Sequence, residues 1–417
     1  MRRFITSVVG AAALGMLVAT VPAGSASAAR HVPDRLFGQH IGGIAAGVPA
    51  TLPSVGAVRL WDSGVTWRQV ETRNNVYDWT KLDAAVTNAR KMRAGEIMYT
   101  LGSTPKWAAN SASLRSANAR LALYGPGSNS HPRADSLYLD YLRVVAKRYK
   151  GRITSYQVWN EANLKDFYLG SPRQMAKLTK SARAVLKKAD PRAKLVAAST
   201  TVRSKGPVGS FSKTYGKEMK RVRWPVDAVS AHLYPPANSG PNTRVSYIKV
   251  LQKYYKKYGA RSKPLWDTEM NYGDLRTYMP KREYTGATAA TYVARTYIDS
   301  MRYRVPRVFW YGWDKQILGT NMTTKAGALT SGGKAFQVIR GWMSGATWYS
   351  CTTRSTITSC TIKPRGGKKQ TIGYTTGGSK SYKVAKGTTL LRRLDGSSTR
   401  VKKGQRITLT TQPVLFS

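Results

Sequence analysis

Acidic residues are scarce in this chain. Only 20 of 417 residues are Asp or Glu, against 68 Lys or Arg, and glutamate is confined to Glu71, Glu96, Glu161, Glu218, Glu269 and Glu283. Histidine is scarcer still, and His31, His40, His131 and His232 have no ligand spacing. With no Cys/His or Asp/Glu cluster either, neither a zinc nor a calcium site is expected. Phosphate-binding glycine loops and Ser-His-Asp signatures are missing too, so no cofactor is expected. Cys351 and Cys360 are the only cysteines, which excludes a multi-disulfide framework, and neither has the partners for nucleophilic or metal chemistry.

Long apolar runs are also absent beyond the N-terminus, where no stretch approaches the ~20 residues of a membrane span. The N-terminus itself carries Arg2 and Arg3, an apolar run from Ile5 to Val21 and the small-residue exit Ala26-Ser27-Ala28. This pattern marks residues 1–28 as a signal peptide, so a secreted, extracellular protein starting near Ala29 is expected. In that compartment Cys351 and Cys360 are expected to pair, stabilising by roughly 2–3 kcal/mol in the chain-entropy model.

The net charge of +48 favours polyanionic surroundings. Export and the lack of any nucleic-acid module argue against nucleic acid as the partner. Uronate- or phosphate-bearing polymers of a cell wall or envelope are better candidates. At this level the charge serves either an anionic substrate or attachment to the wall, and both stay open. A monomer is expected.

Residues 36–342 alternate β-rich runs with helical patterns. The runs are 36–42, 57–62, 96–102, 154–160, 194–199, 227–233, 263–269 and 307–313. Eight βα units in about 300 residues are the signature of a closed parallel barrel. Between them, Ser171-Pro172-Arg173-Gln174 combines an N-cap, a proline at the first helical position and a capping-box Gln. Met175, Leu178, Ala182, Val185 and Leu186 follow at helical spacing. Tyr138, Tyr141, Leu142, Val145 and Tyr149 form a second apolar stripe. After Trp342 the helical period disappears and Thr, Ser, Gly and β-branched residues alternate. The expected organisation is therefore an α/β, (β/α)8 TIM barrel over 29–342, followed by a small all-β sandwich domain over 343–417.

Of the six glutamates, Glu161 follows the fourth strand and Glu269 closes the seventh. Catalytic side chains converge at that end of a (β/α)8 barrel, where a carboxylate has little structural purpose. Their separation of 108 residues spans three βα units of about 36 residues, which places them across the barrel mouth. Two facing carboxyl groups are what glycosidic cleavage requires: one protonated to donate to the leaving oxygen, one ionised to attack the anomeric carbon.

Trp159-Asn160-Glu161, Ala231-His232-Leu233-Tyr234, Trp266-Asp267-Thr268-Glu269 and Trp310, in that order, resemble clan A glycoside hydrolases. Thr104-Pro105-Lys106-Trp107-Ala108, and Trp67 through Tyr77-Asp78-Trp79, look most like family 39 and its relatives. The resemblance covers roughly 36–342. It implies a retaining glycosidase acting on an oligosaccharide or polysaccharide, with Glu161 as acid/base and Glu269 as nucleophile. It further implies that Asn160 bonds the sugar 2-hydroxyl, that Arg59 keeps Glu269 ionised and that His232 and Tyr234 support the nucleophile or touch sugar. Trp107 and Trp310 become sugar contacts, Trp310 as the stacking floor, although barrel filling is the plain alternative for Trp310. Tyr272, Arg276, Tyr278, Lys281 and Arg282 lie in a loop placed to reach substrate, and Asp62 and Asp267 are further carboxylates near strand ends. A carbohydrate- or wall-binding barrel without turnover, or a transglycosidase using the same pair, remain alternatives.

Overall fold

The computed structural model describes residues 29–203 and 206–417. The expected signal peptide lies outside them. Eight strands form one parallel sheet: β1 (Phe37–His40), β2 (Ala57–Leu60), β3 (Glu96–Thr100), β4 (Ser155–Gln157), β5 (Lys194–Val196), β6 (Val229–His232), β7 (Leu265–Met270) and β8 (Val308–Tyr311). Their order is β5-β4-β3-β2-β1-β8-β7-β6. Bridges between Val196 and Ala228 and between Thr201 and His232 join the two ends, giving the expected (β/α)8 barrel. Each strand falls within its expected run except β7, which continues one residue further.

Helices α1 (Thr80–Lys91), α2 (Asp135–Arg148), α3 (Pro172–Ala189), α4 (Ser210–Arg221), α5 (Pro241–Lys257), α6 (Gly286–Arg302) and α7 (Ser331–Met343) follow β2 to β8 in turn. Turns alone connect β1 to β2, where Gly42, Gly43, Gly47, Pro49 and Pro53 oppose a helix. The N-terminus of α3 carries the expected capping box, with Gln174 N–H donating to Ser171 Oγ at 3.2 Å and Ser171 N–H to Gln174 Oε1 at 2.8 Å. Met175, Leu178, Ala182 and Leu186 of α3 and Tyr138, Tyr141, Leu142 and Val145 of α2 are buried against the barrel.

Strand alternation builds the barrel interior in layers. Ala57, Met98, Val196, Ala228, Trp266 and Phe309 make an apolar floor. Two residues further along their strands, Arg59, Thr100, Ser230 and Thr268 form a polar layer around Gln157 of β4. Gln157 Oε1 accepts from Arg59 and Thr100, and Nε2 donates to Ser230 Oγ at 3.0 Å and Thr268 Oγ1 at 3.1 Å. Residues of opposite parity, such as Val58, Leu60, Leu195 and Trp310, pack outward against the helices.

Beyond α7 the chain is all β. Strands β9 (Thr347–Arg354), β10 (Ile357–Lys363), β11 (Gln370–Thr375), β13 (Leu390–Arg392), β14 (Ser398–Arg400) and β16 (Val414–Phe416) form an antiparallel sheet. β12 (Lys380–Lys383) and β15 (Arg406–Leu409) form a separate ribbon, its Tyr382 stacked on Phe416 at 5.0 Å. Cys351 on β9 is bonded to Cys360, its register partner on β10. A two-residue strand, Arg30–His31, pairs with β9, so the start of the described chain contributes an edge to the C-terminal sheet. This sheet rests on α6, where Tyr374 O–H donates to Asp299 at 3.0 Å beneath the Arg295 guanidinium.

One carboxylate near a strand end serves the fold instead of the mouth. Asp267 points outward from β7 and is buried, with Arg244 of α5 donating to it at 2.7 and 3.0 Å. Removing one partner of such a pair strands the other without water. Arg244→Met is expected to cost about 3–5 kcal/mol, measured as the shift in the urea unfolding curve; a loss below 1 kcal/mol would show that Asp267 needs no partner.

Candidate active site

The polar layer of the barrel leads directly into the site. Arg59, inward on β2 and 0% exposed, donates from Nη1 to Glu269 Oε2 at 2.7 Å, from Nη2 to Asn160 Oδ1 at 2.6 Å and from Nε to Gln157 Oε1 at 3.3 Å. Tyr234 O–H donates to the other Glu269 oxygen at 2.7 Å. Glu269 would face the helices if β7 alternated regularly, because Thr268 before it already points inward. A bulge between Asp267 and Glu269, opposite Ala231 and His232, re-aims it into the mouth.

Glu161 lies one residue past Asn160, beyond the end of β4. Its backbone is left-handed, with φ +40°, and its N–H donates to Ser199 Oγ at 2.9 Å. A non-glycine residue in that region costs about 1–3 kcal/mol and persists where surrounding contacts hold it, typically at functional sites. Burial raises the Glu161 carboxyl from 4.5 to about 7, opposed in part by the Thr201 hydroxyl and by Arg59. Burial likewise pushes the His232 imidazole down to about 3, so the ring is neutral at ordinary pH. Its Nδ1 lies 2.9 Å from Glu161 Oε1 and 3.6 Å from Glu269 Oε2. The imidazole thus stands between the two carboxyl groups, and an oxygen of one lies within 4.8 Å of an oxygen of the other.

Asn160, Glu161, Tyr234 and Glu269 line the floor of a cleft of about 460 Å³, with Arg59 and His232 fully buried behind them. Trp61, Asp62 and Tyr311 form one side; Asp62 accepts from Tyr311 O–H at 2.5 Å and from Tyr124 O–H. Leu123, Leu164, Asp166 and Phe167 rise from the loops after β3 and β4, and Arg276, Tyr278, Met279, Ile317 and Leu318 from those after β7 and β8. Leu123, Tyr278 and Ile317 are 60%, 72% and 43% exposed. Exposed apolar side chains gathered at the rim of a cleft with a polar floor are a mark of ligand contact.

No protein-family model and no curated protein sequence matches the chain. Among solved structures it is similar to a family 39 glycoside hydrolase from the gut symbiont Bacteroides cellulosilyticus WH2, with TM-score 0.67 and 17% identity over 88% of this chain and 76% of that one. It is also similar to a family 39 β-xylosidase from Caulobacter crescentus, with TM-score 0.63 and 15% identity over 93% and 97% of the two chains. A family 30 subfamily 8 xylanase from Clostridium acetobutylicum gives TM-score 0.62 and 15% identity over 94% and 97%. The fold is that of these glycoside hydrolases.

Six of the residues singled out from the sequence come together: Arg59, Asn160, Glu161, His232, Tyr234 and Glu269. Trp310 does not join them. It is 0% exposed and packs outward near Tyr272, because its neighbour Phe309 occupies the inward position. The aromatic that β8 turns toward the cleft is Tyr311. Trp107 is also displaced: its Nε1 donates to Glu71 O at 3.2 Å and its ring meets Trp67 edge to face, so it anchors the loop after β3 away from the cleft. In the loop after β7, Arg276 and Tyr278 line the cleft, whereas Tyr272 is buried against Thr296 and neither Lys281 nor Arg282 lines it. Gln157, Arg203 and Phe167 were not singled out. Gln157 alone had a sequence signal, as an inward polar residue on β4.

Glu161, His232 and Glu269 also offer three ligand atoms within reach of one cation. Arg59 and Tyr234 already occupy both oxygens of Glu269, and a guanidinium at 2.7 Å opposes a second positive charge there.

The raised Glu161 carboxyl has a stability consequence. As pH rises past 4.5 the unfolded chain releases this proton while the folded chain still holds it, so stability falls until about pH 7. The loss is of the order of 3 kcal/mol. Glu161→Gln is therefore expected to match wild type at pH 4 and to exceed it in unfolding free energy at pH 8. Equal stability at both pH values would mean that burial does not hold the proton.

Proposed function

We propose that the protein is a secreted retaining glycoside hydrolase acting on a polysaccharide, with Glu161 as acid/base and Glu269 as nucleophile. The observation that carries this reading is that an oxygen of Glu161 lies within 4.8 Å of an oxygen of Glu269, shorter than the ~6.5–9.5 Å carboxyl separation that leaves room for the water of an inverting mechanism. Their surroundings support different roles. Glu161 keeps its proton to about pH 7, as an acid must, while both oxygens of Glu269 accept from Arg59 and Tyr234.

In the first step Glu161 transfers its proton to the glycosidic oxygen as that bond breaks, and a Glu269 oxygen bonds to the anomeric carbon. In the second, Glu161 as carboxylate takes a proton from water, whose oxygen displaces Glu269 and restores both groups. Asn160, fixed by Arg59, is placed to bond the 2-hydroxyl, an interaction that strengthens as oxocarbenium character develops. Secretion rests on the sequence of residues 1–28; among the described residues no helix is long and apolar enough to cross a membrane. The expectation of an acidic substrate draws little support from the cleft. There Asp62, Glu161, Asp166, Glu269 and Asp274 stand with Arg59, Arg203, Arg276 and Lys315, so cations hold no excess.

Purified protein is to be screened on xylan, other neutral and anionic polysaccharides and 4-nitrophenyl glycosides, with Glu269→Ala as the blank. Release of sugar by wild type alone, with the product's anomeric configuration retained in the first NMR spectra, is expected. No Glu269-dependent release from any substrate would point to a binding barrel without turnover, and an inverted product would remove the nucleophile role. Glu161→Gln is expected to lower kcat/KM about 10²–10⁴-fold on unactivated substrates and to abolish the decline in rate above about pH 7.

A further inference from the structure

The excess positive charge lies elsewhere than in the cleft. Residues 343–417 carry 14 Lys or Arg and one acid, Asp395. Asp395 is taken up by its own turn, accepting from Ser397 N–H at 2.8 Å. Some barrel cations have carboxylate partners, such as Arg148 with Asp83 and Arg183 with Asp227. Among the described residues, every ion pair involves only residues before 343.

The β12–β15 ribbon concentrates this charge. Lys383 stands directly opposite Arg406 in the ladder, where like charges destabilise a sheet. Val384 N–H donates to Gln405 O at 2.9 Å and Gly404 N–H to Val384 O at 3.0 Å, which holds Lys402 and Lys403 beside Lys383 and Lys386. All five of these side chains are exposed. Folding has no use for such a cluster, since it repels itself and, beyond a 3.4 Å hydrogen bond from Arg406 to Ser381 Oγ, meets no carboxylate among the described residues. Among the described residues, none of the exposed large apolar or aromatic side chains lies in 343–417. The face therefore lacks a platform for stacking bases or sugar rings, and charge is what it offers a partner.

We propose that the face formed by Lys383, Lys386, Lys402, Lys403 and Arg406 docks an anionic polysaccharide by charge alone, holding the barrel on a surface whose glycans its cleft can reach. An anionic polysaccharide is favoured over nucleic acid because the same chain carries a carbohydrate-cleaving fold and no nucleic-acid module. Docking does not depend on turnover, so a failure of the catalytic reading leaves it standing.

The test measures equilibrium binding of the full-length mature chain to polygalacturonate, with neutral dextran and double-stranded DNA in parallel, across a salt series. Replacing all five residues by Gln is expected to weaken polygalacturonate binding at least tenfold at low salt. It should also flatten the salt dependence and leave thermal stability equal or higher, because the Lys383–Arg406 repulsion is relieved. Replacing Arg173, Lys177, Lys180, Lys187 and Lys188 of α3 by Gln is expected to change binding less than twofold. Equal losses from the two sets would show diffuse attraction to the whole molecule and overturn the proposal. So would unchanged binding by the ribbon variant, binding of dextran as tight as that of polygalacturonate, or tighter binding of the DNA.

Discussion

At the centre of the barrel mouth a single guanidinium, that of Arg59, joins three strands. It donates to Glu269 on β7, to Gln157 on β4 and to Asn160 just past β4, from a fully buried position on β2. A charge in that place is tolerated only if its donors are satisfied and an anion lies against it. The rest of the site follows from this requirement. Gln157 turns its oxygen to Arg59 and is held by Ser230 and Thr268. Asn160 is fixed with its oxygen inward, and Glu269 is drawn into the mouth at the bulge in β7.

The two glutamates then differ through their surroundings. Glu269 is met by donors on both oxygens, while Glu161 is buried beside a neutral imidazole and keeps its proton toward neutral pH. The cost is accepted locally, as a left-handed residue and a carboxyl group that folding would prefer to leave in water. Both features mark this turn as shaped for chemistry at the expense of stability.

Charge is distributed by the same economy. A quarter of a sparse set of acids is gathered in and around one cleft, and the cations spread over helix faces and the C-terminal sheet. A molecule with so many Lys and Arg consequently presents a nearly balanced active cleft and a basic exterior. The proposed cleavage and the proposed attachment thereby rest on different surfaces.

Periodicity made the barrel legible: eight β-rich runs separated by capped helical stripes leave little choice of topology, and position at strand ends picked out Glu161 and Glu269. Errors arose where the facing of a side chain depends on exact strand parity or on loop contacts. Trp310 was one residue from Tyr311, and only the inward placement of Phe309 decides between them. Trp107 sits in a loop whose path is set by Trp67 and Glu71, contacts that adjacent sequence does not encode. What the sequence by itself determined is the order and type of elements and the two carboxyl groups, because local hydrophobic spacing is written residue by residue. Tertiary structure alone decided that a bulge turns Glu269 inward, that burial separates the two glutamates and that cations hold no excess at the cleft. Each of these depends on which groups from distant segments share one dehydrated space.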